Sequence, residues 1–291
     1  MSTANIYIQG YDGSFHDAVA KRYFGPSCTV VPCDSFEELC QRLRNGSPDD
    51  SAVMAIENSI AGTILPNYKL LREYNLNIQG EVYKKIELNL IALHNQSLDK
   101  ITEVRSHNMA LKQCSQFLKQ FPHLRIVESE DTAKSAKEIT EDQLSGIACI
   151  ASNEAASIYQ LEILAASIED IQMNYTRFFI LNQNDGIVIQ DNSYNKASIY
   201  MRLRHEAGSL VNALNTFSEY KINISKLQSN PVLGKFNEYY FHIDLEFDAL
   251  IQYQEVLNVL STQTLEVKQL GVYQKADVSS VMRDELTNYM L

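Results

Sequence analysis

Residues 76–93 read LNIQGEVYKKIELNLIAL. Apolar and polar positions alternate over most of this run, the period of extended chain. It is longer than one ordinary strand needs, and near residues 83–93 it reads as chain leaving one sheet for another. Strand and helix signals alternate on both sides of it. Before it, Asn5–Gln9, Thr29–Pro32 and Ser51–Ile56 read as strands, and Phe15–Phe24, Phe36–Arg44 and Leu65–Tyr74 as helices. Ser35 is the expected N-cap of the second helix, with Glu37 and Glu38 in its first turn, and Pro66 must sit in the first turn of the third. After it, Glu103–Arg105, Arg125–Glu128, Ile147–Ala151 and Phe178–Leu181 read as strands. The intervening helices are Met109–Phe121, Ala133–Thr140 and Glu154–Tyr159. Such alternation predicts an α/β chain of βαβ units with a mainly parallel sheet. The strand near 178–181 supplies a return crossing. Two crossings predict two lobes, residues 1–82 with 172–185 and residues 83–171, and hence a cleft.

The stretches 182–186 and 191–195 are rich in Asn, Asp and Gly and read as a linker. A new pattern follows. Ala197–Leu203, Asn223–Gln228, Phe236–Glu246 and Glu266–Tyr273 read as strands, and Ser209–Tyr220 and Ala249–Leu260 as helices. The order β-α-β-β-α-β predicts a ferredoxin-like domain over residues 195–275. The tail, residues 276–291, reads as a short surface helix.

The chain has 291 residues, 45% of them hydrophobic and 21% charged, as in globular proteins of two domains. A net charge of −11 disfavours nucleic-acid and electrostatic membrane partners, which need a basic face. No apolar run reaches the roughly 18 residues of a membrane span, and the first ten residues carry no signal-peptide pattern. The five cysteines form no C-x-x-C pair and the six histidines no paired ligand spacing. Free thiols in a reducing, cytoplasmic compartment and no metal site are therefore expected.

Nucleotide-binding glycine motifs and the G-x-S-x-G elbow are absent. What remains is a set of small polar residues where strands end and helices begin. Ser14, after the glycines of residues 10–13, could donate from a helix start, or the segment is a plain βα turn. Glu57, Asn58 and Ser59 emerge together at a strand's C-terminal end, where open α/β folds bind ligands. Three polar residues exceed what one cap requires. Ser106 reads as the N-cap of a helix whose free N–H groups suit a carboxylate, with Gln113 two turns on. A capped amphipathic helix is the equal alternative. Thr132, Ala133 and the segment 150–156 read as ordinary helix starts. Thr176 and Arg177 adjoin in the return strand, where Arg177 could grip a carboxylate with two hydrogen bonds, although this segment alone reads rather as a surface strand threonine beside a salt-bridged arginine.

Taken in order, six motifs carry a resemblance. They are G-x-x-G-S-F (10–15), I-E-N-S-x-x-G (56–62), S-H-x-x-A-L-x-Q-C (106–114), D-T-A-x-S-A (131–136), A-S-x-x-A-A-x-x-Y-x-L (151–161) and N-Y-T-R-F (174–178). This part of the chain resembles prephenate dehydratase. The later segments A-G-S-L (207–210), I-N-I-S-K-L-Q-S-N-P (222–231) and E-Y-Y-F-H-I-D (238–244) resemble the ACT regulatory domain that accompanies it. The resemblance implies a catalytic region, residues 1–185, of type-2 periplasmic-binding-protein-like fold. It implies decarboxylative dehydration of prephenate to phenylpyruvate, without cofactor or metal, in the monofunctional form. Arogenate dehydratase and a non-catalytic amino-acid sensor are the alternatives.

By the same resemblance Thr176 acts on the departing hydroxyl, and Glu57, Asn58, Ser106 and Gln113 complete the catalytic set. Glu57 carries a proton if burial raises its pKa. Ser14, Ser59, Thr132, Ala133 and Arg177 are the candidates for substrate carboxylates. Phenylalanine is the implied effector, at Gly208, Ser209 and Leu210 and at Gln228, Ser229, Asn230 and Pro231, in a homodimer or homotetramer. The usual E-S-R-P of the second effector motif is Q-S-N-P here, so two charges are missing. In the first motif His16 replaces a small hydroxyl residue and reads as a solvated helix position.

Overall fold

The computed structural model describes residues 4–183 and 193–278. The chain runs β1 (Asn5–Gln9), α1 (Phe15–Phe24), β2 (Thr29–Cys33), α2 (Phe36–Asn45), β3 (Ser51–Asn58), β4 (Gly62–Thr63), α3 (Leu65–Glu73) and β5 (Leu76–Lys85). It continues with β6 (Asn89–Ala92), β7 (Glu103–His107), α4 (Asn108–Gln113), α5 (Ser115–Lys119), β8 (Arg125–Ser129) and α6 (Thr132–Glu141). Then come β9 (Ile147–Ala151), α7 (Asn153–Ile158), β10 (Glu162–Ala165) and β11 (Tyr175–Gln183). The chain is a mixed α/β fold of two compact units. One comprises the described residues up to Thr63 with Val82–Phe178, the other Ile64–Glu81 with Phe179–Asp277.

The described residues up to Gln183 form two sheets. One has the order β2-β1-β3-β11-β5, with β4 paired to β3, and β1 runs parallel to both β2 and β3. The other has the order β10-β6-β9-β7-β8; β7 is parallel to β8 and β9, while β6 is antiparallel to β9 and β10. Successive side chains of a strand point to opposite faces. Hence Leu90 and Ile150 pack with Ala110 and Leu111 of α4, while Ile91 and Cys149 pack with Ala133, Ala136 and Ile139 of α6. A sheet covered on both faces explains the unbroken apolar run of β9. The chain reaches the second sheet through residues 86–88 and returns through residues 166–174.

The helix expected over 109–121 is broken at Cys114 into α4 and α5. The carboxylate of Asp170 accepts from the Ser115 hydroxyl and the Gln116 N–H, and the Asp170 N–H donates to the Gln113 carbonyl. A tie from about 55 residues away overrides local helix preference there. The short strands β4 and β10 have no counterpart in the sequence reading, and β10 bulges where it leaves β6.

The second unit adds β12 (Lys196–Arg202), α8 (Ser209–Glu219), β13 (Asn223–Pro231), β14 (Tyr239–Glu246), α9 (Leu250–Gln263) and β15 (Glu266–Tyr273). The sheet order is β13-β14-β12-β15, with every pairing antiparallel. Ile199, Met201, Ile243 and Leu245 form its core with Phe217 of α8 and Val256 of α9. The polar face holds a buried ion pair. Lys196 Nζ donates to both Glu81 carboxylate oxygens, at 2.9 and 3.1 Å, and both side chains are almost wholly buried. Removing Glu81 leaves the buried Lys196 ammonium only the longer, 3.6 Å approach to Glu246. Glu81→Ala should lower unfolding stability by about 3–5 kcal/mol. Denaturant titration should show this as a lower midpoint at unchanged slope; a midpoint within error of the parent would make the pair dispensable. The expected tail helix lies mostly outside the described residues. Among the described residues no helix is long and apolar enough to cross a membrane.

Candidate active site

β3 is buried until its last two residues, Glu57 and Asn58, which turn outward at its C-terminal end. There the chain reverses into β4, with Glu57 paired to Thr63 and Asn58 to Gly62. Asn58 holds the reversal. Its side-chain carbonyl accepts the N–H groups of Ile60, at 3.0 Å, and Ala61, at 2.9 Å. That pairing fixes the orientation of the carboxamide, because backbone N–H groups only donate. The Asn58 amide nitrogen therefore faces β11, where it donates to Asn174 Oδ1 at 2.7 Å, the Tyr175 carbonyl at 3.2 Å and Thr176 Oγ1 at 3.0 Å.

Thr176 and Arg177 lie side by side in β11 and are 8% and 3% exposed. Arg177 Nη1 stands 3.8 Å from a Glu57 oxygen, and its guanidinium lies over the Tyr83 ring. Glu57 itself is 37% exposed. Gln113, at the end of α4, joins the group from the second sheet: its side-chain carbonyl accepts from Asn174 Nδ2 at 3.1 Å. The structure thus gathers Glu57, Asn58, Gln113, Thr176 and Arg177 into one constellation. The sequence reading quoted the Asn174 motif but did not select Asn174. Its only signal was its place before Thr176.

Two candidates are otherwise engaged. The Ser59 hydroxyl donates to the Met173 carbonyl at 3.1 Å and accepts the Tyr175 N–H at 2.9 Å, so it stitches the β3 turn to the return segment. Ser106 is fully buried within β7 and donates to the Ile150 carbonyl at 2.7 Å. The N-cap of α4 is His107, whose Nδ1 accepts from the Met109 N–H. Ser106 therefore holds β7 to β9 and does not cap the helix.

A second group gathers around residues 10–14. Ser14 caps α1 by accepting the Asp17 N–H, and the Gly13 carbonyl accepts from the Ser152 hydroxyl at 2.7 Å. Gly13 has φ +82°, and a Cβ there would come within 2.8 Å of the Ala155 backbone, so only glycine fits. Thr132 opens α6, with Ala133 fully buried behind it. The cap of that helix is Asp131, whose carboxylate accepts the Lys134 N–H; its pKa is raised, chiefly by burial. Asp131 abuts Gly10, where an added Cβ would lie 2.8 Å from a carboxylate oxygen. The helix start at Thr132 and Ala133 therefore already has an anion beside it.

His16 is not a solvated position. Its ring packs against Phe36 and Phe178, and its Nε2 accepts the Ala55 N–H at 3.3 Å. Burial lowers its pKa from 6.5 to about 3. The folded protein thus binds the His16 proton less readily than the unfolded chain. This stability contribution is complete above pH 6.5 and is lost as pH falls toward 3. In His16→Gln, which can still accept from Ala55, the acid loss of stability over that window should be shallower. Equal slopes for both proteins would remove His16 from the acid response.

In the second unit Gly208, at φ +87°, is the N-cap of α8, with Ser209 and Leu210 its first helical residues. Gln228, Ser229, Asn230 and Pro231 lie in the edge strand β13. Asn230 and Arg202 both pair with Tyr240. The second effector motif and the exit of β12 toward Gly208 therefore lie at one end of the sheet, with β14 between them.

The family model described as prephenate dehydratase matches residues 6–186. The chain belongs to the prephenate dehydratase family. A bifunctional chorismate mutase/prephenate dehydratase of Enterobacter agglomerans is 32% identical over 279 residues, covering 94% of this chain and 72% of that protein. An arogenate dehydratase/prephenate dehydratase of Arabidopsis thaliana is 34% identical over 254 residues, covering 84% of this chain and 66% of that protein. Among solved structures, GqqA, described as a novel type of quorum-quenching acylase, is 27% identical with a TM-score of 0.82. The alignment covers 94% of this chain and 98% of that one. A prephenate dehydratase from Arthrobacter aurescens, solved with L-Phe, has the same fold at a TM-score of 0.83 and 24% identity, covering 99% of each chain.

Proposed function

We propose that this family member converts prephenate to phenylpyruvate, carbon dioxide and water. Prephenate carries two carboxylates and a ring hydroxyl. Breaking the bond to the ring carboxylate pushes its electron pair into the ring, which expels the hydroxyl and becomes aromatic. The charges balance when the departing hydroxyl takes up one proton. The reaction thus asks for a donor at the hydroxyl and cations at the carboxylates.

One observation carries the assignment. Thr176 Oγ1 already accepts a hydrogen bond from Asn58, whose own orientation is fixed by two backbone N–H groups. The Thr176 proton has no protein acceptor among the described residues and is left to point at a ligand. A threonine hydroxyl is a weak acid. It acts by strengthening its hydrogen bond as negative charge builds on the leaving oxygen. Arg177 is the cation proposed for a carboxylate. Ser14, on the same lobe as Thr176, and Thr132 and Ala133, on the other, are the remaining proposed carboxylate contacts of a cleft between lobes 1–82 with 172–185 and 83–171, a type-2 periplasmic-binding-protein-like arrangement. The experiment compares kcat/KM for prephenate and arogenate in the purified protein. Prephenate turnover supports the assignment, and turnover of neither sinks it. Arogenate bears an ammonium where prephenate has a keto oxygen. Asp131 beside Gly10 is the acidic group that favours arogenate as the second reading.

The same reading makes residues 195–275 an ACT domain that dimerises or tetramerises the enzyme and binds phenylalanine. The left-handed Gly208 at the head of α8 and the antiparallel sheet support it. The five free cysteines suit a reducing cytoplasm. With Gln228 and Asn230 in place of the charged pair, phenylalanine should inhibit more weakly than in a member with the full E-S-R-P motif. Inhibition needs differential affinity between two arrangements, not occupancy alone. Calorimetry and turnover on the same sample separate the cases. No binding at millimolar phenylalanine would leave the domain an assembly module only.

A further inference from the structure

Asn174 is fully buried, yet both ends of its carboxamide are engaged. Its main-chain carbonyl accepts the Ile86 N–H at 2.7 Å, which fastens together the two segments that cross between the sheets. Its side chain lies between Asn58 and Gln113. The direction of this chain of amides follows from its anchored end. The Asn58 oxygen faces the backbone N–H groups of the turn, so its nitrogen faces Asn174. Asn174 must then present its oxygen to Asn58 and its nitrogen to Gln113. Gln113 in turn offers its oxygen, and its own amide N–H groups have no protein acceptor among the described residues.

We infer that Asn174 is a positioning residue that couples Gln113 on the second sheet to the Thr176 hydroxyl on the first. The inference rests on the dehydratase reading of this site. The Asn58 nitrogen has two protons and three acceptors, and Asn174 Oδ1 is the nearest of the three. It holds the amide plane where the second proton reaches Thr176. Without Asn174 the Asn58 amide is still kept from flipping by the two N–H groups on its oxygen, but its plane can tilt toward the Tyr175 carbonyl, and the Thr176 proton loses its fixed aim. Gln113 closes the relay from α4. Thr176 is therefore aligned when the segment carrying α4 is seated against residues 170–174. Asn174 touches no substrate in this scheme.

Two variants of nearly the same volume test it. Asn174→Asp keeps an acceptor for Asn58, whereas Asn174→Leu fills the space and accepts nothing. A positioning role predicts that Asn174→Leu loses about 10- to 100-fold in kcat at nearly constant KM, and that Asn174→Asp recovers most of it. A space-filling role predicts the reverse order, because a buried carboxylate is costly and leucine is not. The cycle with Thr176→Ala is the second readout: Asn174→Leu should cost less than about two-fold in that background. Equal losses with and without Thr176 would overturn the inference. A measurement on the unmodified protein covers the case in which a variant does not fold. The Asn58 side-chain amide protons should exchange slowly with solvent, and fast exchange would contradict the relay. That measurement is independent of turnover. An unmodified protein inactive on prephenate, but with protected Asn58 protons, would overturn the dehydratase reading and leave the relay geometry standing.

Discussion

Thr176→Ala is expected to lower kcat by about two to four orders of magnitude while leaving KM within a few-fold. The effect falls on kcat because the Thr176 hydrogen bond strengthens only as hydroxide leaves. The substitution removes a hydroxyl from a strand that is otherwise held by its ladder and by Phe178 and Phe179 in the core, so the fold should persist. Thr176→Ser keeps the donor and should retain much of the activity, with some loss from the added rotamer freedom. Steady-state kinetics on both variants, with thermal melts to confirm folding, decides the point. A kcat for Thr176→Ala within a few-fold of the parent would remove this hydroxyl from the mechanism.

Arg177→Lys is expected to raise KM about ten-fold or more. The guanidinium is almost wholly buried, beside Glu57 and next to Thr176 in β11. A planar fork takes a carboxylate with two hydrogen bonds, and an ammonium lacks that geometry. The competing account makes Arg177 a structural partner of Glu57 and Tyr83. It predicts a lower melting temperature with KM unchanged. Measuring both quantities on one preparation separates the two accounts, and an unchanged KM contradicts the binding role.

The parts of the fold that were legible in the sequence are those set by local chemistry. The limits of β1, α1 and β9, and the Ser35 cap of α2, match their sequence reading because hydrophobic period and capping residues act within a few positions. The break at Cys114 did not show, because its cause is Asp170, far along the chain. Ser106 was misplaced by a single residue. The helix begins after His107, a weaker capping type than serine, because β7 continues through Ser106 to pair with β8. His16 looked solvated because Ser14 and Asp17, close to it in sequence, are polar. Its neighbours in space, Phe36 and Phe178, are not.

The site shows the same division. Glu57, Asn58, Thr176 and Arg177 were found because each stands at a strand terminus or crossing, where side chains reach a ligand. Ser59 and Ser106 bond to backbone, which the sequence did not show. A serine hydroxyl bonds to backbone as readily as to substrate, and only the partner atoms distinguish the uses. Asn174 was passed over for the opposite reason. An asparagine before a strand reads as a turn residue, and nothing local reveals that both ends of its amide are buried against Asn58 and Gln113.

The most direct test of the central claim is product stoichiometry in the unmodified protein. Prephenate is supplied at neutral pH, and phenylpyruvate, carbon dioxide and proton uptake are followed together, with correction for the spontaneous reaction. The account predicts one phenylpyruvate and about one carbon dioxide per prephenate consumed, with catalysed proton uptake tracking both once the proton released by hydration of carbon dioxide to bicarbonate is added back. Consumption of prephenate without carbon dioxide release, or no acceleration over the spontaneous rate, would contradict it.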